Sequence, residues 1–187
     1  MTRMKQEIIV PKSRIAVIIG PNGATKALLE QKTQTSIHID SQDGAVTIES
    51  DTEINSDPMA AWIARNIIRA IGRGFSPETA LNLLEEDIYF DLIDLKGTSK
   101  QQKRIKGRII GEGGKTRQII EETTKVKIAI FGGTVSFIGD IEAMNNAKEA
   151  VTMLMDGARH STVYRHLSNL RFREKLKPPE LWETDIE

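Results

Sequence analysis

The sequence predicts an α+β protein in which one β-α-α-β-β-α unit is used twice in tandem. Each copy is followed by an extra helix, and the two copies are expected to pack together. Three observations lead there. The pattern Ile18-Ile19-Gly20-Pro21-Asn22-Gly23 returns 91 residues later as Ile109-Ile110-Gly111-Glu112-Gly113-Gly114. Aligned without gaps, residues 16–39 and 107–130 share nine identities in 24 positions, clustered at the glycine turn and a following strand. The same succession of helical and alternating patterns surrounds both copies, as a repeated supersecondary unit requires.

The elements follow in order. Glu7 to Val10 reads as a strand ended by Pro11. Ser13 to Ile19 is a short apolar helix running into Gly20. Ala24 to Lys32 resumes the helix, with Leu28 and Leu29 expected to face inward. Ser36 to Asp40 alternates as a strand with Ile37 and Ile39 on one face. Asp43-Gly44 supplies a hairpin turn, and Ala45 to Glu49 is the returning strand. Asp57-Pro58 reads as an N-cap with proline at the first helical position. The helix that follows carries Ile63, Ile67 and Ile71 at i, i+4, i+8 and stops near Gly72. Ser76-Pro77 opens a short helix with Ala80, Leu83 and Leu84 on its buried side.

The second copy repeats the order. Ile88 to Leu95 is a strand, and Lys100 to Ile110 leads into the second glycine turn after a longer, charged connection. Lys115 to Glu122 is a helix with Ile119 and Ile120 inward. Val126 to Phe131 and Val135 to Ile138 form a hairpin around Gly132-Gly133. Asp140 caps a helix whose apolar stripe is Ala147, Val151 and Leu154, and a further helix lies near Thr162 to Leu170. The expected division is a first domain at 1–85, a second at 86–177 and an extended tail at 178–187, where Pro178-Pro179 opposes helix.

Composition narrows the function. A hydrophobic content of 39% supports real cores, and the absence of cysteine excludes disulfides and thiolate metal sites. The N-terminus lacks the apolar stretch of a signal peptide, and no apolar run is long enough to span a bilayer, so a cytoplasmic protein without membrane contact is expected. The net charge is zero, but its distribution is uneven. From Lys96 to Arg117 there are eight Lys or Arg against one acid, whereas Phe75 to Leu95 holds six acids and no Lys or Arg. Separated charge of this kind can present a local anion-binding face; alternatively the basic run is a solvated surface.

The glycine turn explains what such a face would hold. A tight link between consecutive helices needs positive φ, which glycine reaches without steric penalty. The start of the second helix adds free N–H groups and partial positive charge, so a phosphate is the natural occupant. A nearby hairpin strand would give a narrow groove the second wall, suited to unpaired bases lying over aliphatic side chains. Catalysis finds no support. Gly113-Gly114-Lys115-Thr116 looks like the end of a P-loop, but the glycine that motif requires five positions earlier is Ile109. His38, His160 and His166 show no i, i+4 pair, so no metal or other cofactor is expected, and the chain is read as a non-enzyme.

These two turns, each in β-α-α-β-β-α order, resemble two KH domains of the eukaryotic type, and the resemblance covers nearly the whole chain. Gly74-Phe75-Ser76-Pro77-Glu78 and Lys103-Arg104-Ile105-Lys106-Gly107-Arg108-Ile109-Ile110-Gly111 are similar to a narrower family, the archaeal two-KH counterpart of the ribosome-assembly factor called partner of Nob. That resemblance implies binding to small-subunit ribosomal RNA near its 3′ end, contact with the Nob endonuclease, and contact with the alpha subunit of translation initiation factor two. No DNA partner is expected.

For the second copy, the expected RNA site places Gly111, Glu112, Gly113 and Gly114 against the backbone. Arg108, Lys115 and Arg117 would neutralise phosphates. Ile109, Ile110, Ile119, Lys127 and Ile128 would line the base-facing side, with Arg104 and Lys106 adding sequence-independent contacts. The first copy offers Arg14, Ile19, Gly20, Pro21, Asn22, Gly23 and Lys26. KH turns usually carry Lys or Arg between the glycines; here Pro21-Asn22 is uncharged and Glu112 is acidic. The second copy is therefore expected to bind RNA more strongly, the first being a weak RNA site or a protein-docking platform. A scaffold with little direct RNA binding is the alternative for the whole chain.

Overall fold

A computed structural model describes residues 4–50 and 59–176. The cap expected at Asp57-Pro58 and the tail at 178–187 lie outside the described residues. Two compact units form, one from residues 1–96 with 127–141 and the other from 97–126 with 142–187.

In the first unit, β1 (Met4–Ile9) is followed by α1 (Lys12–Ile19), α2 (Ala24–Thr33), β2 (Thr35–Ile39) and β3 (Ala45–Ser50). The strands make an antiparallel sheet in the order β1-β3-β2. Alternation sets its register: Ile37 lies opposite Ile48 and Ile39 opposite Val46, so Ile37, Val46 and Ile48 are fully buried. Gly44 makes the turn at φ 76°, its N–H donating to the Asp40 carbonyl.

Helix α3 (Ala60–Gly72) lays Ala61, Ala64, Ile67, Ile68 and Ile71 into the core; of the expected Ile63, Ile67 and Ile71, Ile63 is only half-buried. At Ser76 the hydroxyl accepts from the Thr79 N–H and starts α4 (Pro77–Ala80), which continues as a 3-10 turn over Leu81–Leu84.

The same unit contains the second antiparallel sheet: β4 (Tyr89–Asp94), β5 (Lys127–Phe131) and β6 (Thr134–Gly139), in the order β4-β6-β5. Central β6 is buried along its whole length. Ala129 and Ile138 join the core cluster that holds Ile37, Ile67 and Phe75, so one apolar core draws on residues from both sequence copies. Phe75 meets Phe90 edge-on at 6.5 Å, and Arg14 and Arg69 lie over the rings of Phe131 and Phe90 at 5.7 and 5.5 Å.

The second unit holds α5 (Ser99–Ile110), α6 (Lys115–Thr124), α7 (Ile141–Met155) and α8 (His160–Leu176). A reciprocal capping box fixes the start of α5: the Thr98 hydroxyl accepts from the Gln101 N–H, and the Gln101 side chain accepts from the Thr98 N–H. Met144, Ala147, Val151 and Leu154 form the buried stripe of α7, and Val163 and Leu167 that of α8.

Three expectations are corrected. Leu28 is 39% exposed, because α2 buries Leu29 and Thr33 at i, i+4 and its neighbour is turned some 100° away. Leu84 is 37% exposed, because the three-residue period of the 3-10 turn points Ala80 and Leu83 inward instead. The two extra helices are unequal: α4 has four residues and α8 has 17.

Candidate nucleic-acid interface

The two glycine turns have the same backbone to within a few degrees. Gly20 sits at φ 73°, ψ 177° and Gly111 at 74°, 178°. Asn22 (52°, 27°) corresponds to Gly113 (57°, 19°), and Gly23 (78°, 7°) to Gly114 (84°, 4°). The first glycine is obligatory on two grounds. Its conformation is one that residues with a Cβ avoid. An added Cβ would also fall 2.1 Å from Thr25 Oγ1 at Gly20, and 2.2 Å from Thr116 Oγ1 at Gly111.

The remaining turn glycines differ in kind. A Cβ on Gly23, Gly113 or Gly114 would meet nothing within 4 Å. Their open side leaves room for another backbone. Gly23 and Gly114 are also the N-caps of α2 and α6, and neither helix start is closed by a side-chain hydrogen bond. The N–H groups of Ala24 and Lys115 donate within the turns to the Pro21 and Glu112 carbonyls, so what each helix start offers an anion is its partial positive charge beside the open glycines.

Three further shared identities have a structural role. Ile18 and Ile109 are fully buried beneath the turns. Thr33 and Thr124 both donate to carbonyls four residues back, at 2.8 Å. Glu30 and Glu121 face Lys26 and Arg117 at 3.7 Å. Glu30 also accepts from the Ile37 N–H at 2.7 Å, tying α2 to β2.

The structure separates the expected cations into two groups. Arg14 donates from Nε to the Ile71 carbonyl (2.8 Å) and from Nη2 to the Phe75 carbonyl (2.6 Å), where burial pushes its pKa below the usual value. Arg108 donates from Nε to the Leu154 carbonyl (3.2 Å) and from Nη2 to that of Ala158. Both were expected to face phosphates; both instead hold the chain at the end of a helix, α3 and α7 respectively. Arg104, Lys115 and Arg117 remain exposed and Lys106 half-buried in the second unit, and Lys26 is half-buried in the first.

The aliphatic wall is corrected as well. Ile109 and Ile128 are buried to 0% and 4% exposure, so they support the surface from below and offer nothing to a base. Ile110 is 37% exposed, and Ile19 and Ile119 are half-buried. Lys127 is exposed on β5, but it and Ile128 belong to the first unit while Gly111–Gly114 belong to the second. Pro21, Asn22 and Glu112 are exposed at their turns.

A groove of the first unit is lined by Lys26 of α2 and by His38, Ile39, Asp40 and Thr47 along the β2–β3 hairpin. Beside the second turn lies a cleft of about 490 Å³ lined by Arg104, Gly107, Glu112, Lys115, His160 and Tyr164. His160 and Tyr164 carried no sequence signal. Tyr164 Oη shares a 2.8 Å hydrogen bond with Thr116 Oγ1, and His160 Nε2 lies 2.9 Å from the Arg108 carbonyl. Among the described residues, no group of three or more His, Asp or Glu converges as a metal site, and no helix is long and apolar enough to cross a membrane.

Two antiparallel three-stranded sheets, and two helix–glycine turn–helix corners of equal geometry, define a protein with two KH domains. Residues 5–70 match the KH domain model, and residues 89–172 match the model for the second KH domain of PNO1, a eukaryotic-type (type I) KH domain. A KH domain-containing protein of Methanocaldococcus jannaschii is 41% identical over 177 residues, covering 93% of this chain and 77% of that protein. The pre-rRNA-processing protein pno1 of Schizosaccharomyces pombe is 30% identical over 130 residues, 67% of this chain and 54% of the yeast protein, so the match takes in about half of that relative. Among solved structures, aDim2p in a complex with a/eIF2alpha and rRNA from Pyrococcus horikoshii OT3 is 43% identical, with a TM-score of 0.86 over 91% of this chain and 96% of that one. The chain belongs to the PNO1/Dim2 family of two-KH-domain proteins.

Proposed function

We propose that the chain binds single-stranded RNA at its glycine turns and acts in assembly of the small ribosomal subunit, on rRNA near its 3′ end. The observation that carries this is the pair of open, matching turns, each leading into a helix start with no side-chain cap. Open glycines admit a sugar-phosphate backbone, and the helix start favours its charge. The names of the relatives point the same way: one family member processes pre-rRNA and another crystallises with rRNA. The contact is stronger in the second KH domain, where Arg104 and Lys115 line the cleft with Gly111 and Glu112 and Arg117 is exposed on α6, than in the first, where Lys26 follows an uncharged Pro21-Asn22.

In this reading the domains span 1–85 and 86–177, and the protein is a cytoplasmic, non-catalytic binder. It would present its RNA to the Nob endonuclease and meet the alpha subunit of initiation factor two; an aDim2p–a/eIF2alpha complex supports the latter contact. The test is fluorescence anisotropy with a labelled single strand copying the 3′ end of small-subunit rRNA, at two salt concentrations. The expected result is saturable binding that weakens as salt rises, by about 0.7 in log–log slope per neutralised phosphate. Replacing Glu112 and Gly113 by Asp should remove most of the binding while leaving the circular dichroism unchanged. Undiminished binding in that variant would place the site elsewhere, and no binding at low salt would favour a protein-docking scaffold.

A further inference from the structure

The outer face of α3 has a composition that folding does not require. Its outward residues are Trp62, Arg65, Asn66 and Arg69, followed by Arg73 at the C-cap, with no acid anywhere in the helix. Among the described residues none of the three guanidiniums forms an ion pair. Arg69 is instead held over the Phe90 ring. Trp62 is 44% exposed, Tyr89 40% and Ile9 81%.

The row of arginines forms one side of two shallow troughs of mixed polarity. One is lined with Ile9 and Pro11, the other with Trp62, Ile88 and Tyr89. Exposed Trp, Tyr and Arg beside such troughs is the composition of protein-binding hot spots. The repeat provides an internal control. Helix α7 has the same place in the element order of the second copy, yet its exposed and half-buried positions include Glu142, Asn145, Asn146, Lys148, Glu149 and Thr152, a mixed surface without an aromatic ring or arginine. The repeated element order is thus kept without the α3 stripe.

We propose that this face of α3 is a docking surface for an acidic protein segment with apolar anchors. Arg65, Arg69 and Arg73 recur at i, i+4, i+8, a rise of about 6 Å per step. Carboxylates at that spacing would meet the row while aliphatic or aromatic side chains fill the troughs. The exposed aliphatic flanks favour a polypeptide over a nucleic-acid strand, whose sugar-phosphate backbone gains nothing from covering Ile9 and Pro11.

The test is selection of short random peptides on the full chain, with excess single-stranded RNA present to occupy the glycine turns. A Trp182→Phe background leaves Trp62 as the single fluorescent indole, because the chain has two tryptophans. The expected peptides are enriched in Asp and Glu with Leu, Phe or Tyr, and they shift the Trp62 emission. They should bind R65E/R73E about tenfold or more weakly, a loss of about 1.4 kcal/mol or more, while that variant keeps its circular dichroism and its RNA affinity. If R65E/R73E does not fold, Trp62→Ser is measured in the same way, by the loss of peptide affinity alone. Peptides without acidic enrichment, affinity indifferent to these substitutions, or displacement of bound peptide by added RNA would overturn the proposal; the last would make the face a nucleic-acid surface.

Discussion

Gly111 and Gly113 stand two residues apart in one turn, yet substitution should affect them very differently. A Cβ on Gly111 would overlap Thr116, whose hydroxyl is also bonded to Tyr164. Gly111→Ala is therefore expected to cost about 3 kcal/mol or more, from backbone conformation and overlap together, and to lower the Tm measured by thermal denaturation. Gly113 faces open space in an αL conformation that Asn22 already adopts in the first turn, so Gly113→Ala should cost only about 1 kcal/mol. Comparable losses at the two positions would contradict this account of the turn. The arginines divide along the same lines. Arg108→Ala removes the donor from two main-chain carbonyls and should destabilise the fold by roughly 2 kcal/mol. Lys115→Ala should leave the Tm nearly unchanged and weaken RNA binding. Sequence spacing makes Arg108 and Lys115 look alike, because both are cations within four residues of a turn glycine. Their difference lies in carbonyls 46 and 50 residues away from Arg108, which no local pattern reports.

At the scale of elements, the features legible in the sequence were those with a period or a local cap. The i, i+4, i+8 isoleucines marked α3, the alternation of Ile37 and Ile39 marked β2, and Ser76-Pro77 marked α4 by a cap that the structure contains. Where neighbouring leucines competed for one buried position, at Leu28 and Leu84, the pattern could not say which turns outward, because that depends on where the packed helix meets the sheet. Among the helices of eight or more residues, the basic helix α5 buries the fewest described residues, Ile109 alone. Its start accordingly leans on the Thr98–Gln101 box. Thr98→Ala should cost about 1 kcal/mol and raise hydrogen exchange in the first turn of α5 ahead of the remaining helices. Uniformly faster exchange throughout the chain would instead mean that the cap supports the whole fold.

At the scale of the molecule, the repeat period and the compact units divide the chain differently. The repeat separates the halves near residue 86, but the first unit closes over residues 127–141 as well as 1–96. Its core includes Ala129 and Ile138, and Phe90 packs against it. Phe131 lies under the Arg14 guanidinium and close to Gly74, where an added Cβ would come within 2.9 Å of the Phe131 Cβ. Gly74 has φ 108°, so this approach rests on a residue whose backbone also excludes side chains. A fragment ending at residue 85 would keep β1 to α4 and lose every one of these partners. Phe75, 5% exposed in the intact chain, would lose its edge-on contact with Phe90, and Arg14 would keep its carbonyl bonds without the ring beneath it. Such a fragment is expected to melt well below the intact chain and to bind a hydrophobic dye. In the full chain, Phe131→Ala should reproduce part of that loss, about 2–3 kcal/mol for removing a large aromatic from a packed site. The pair of measurements is decisive together: a fragment as stable as the intact protein, with Phe131→Ala silent, would mean that the first copy holds itself together and that the shared core adds nothing to its stability.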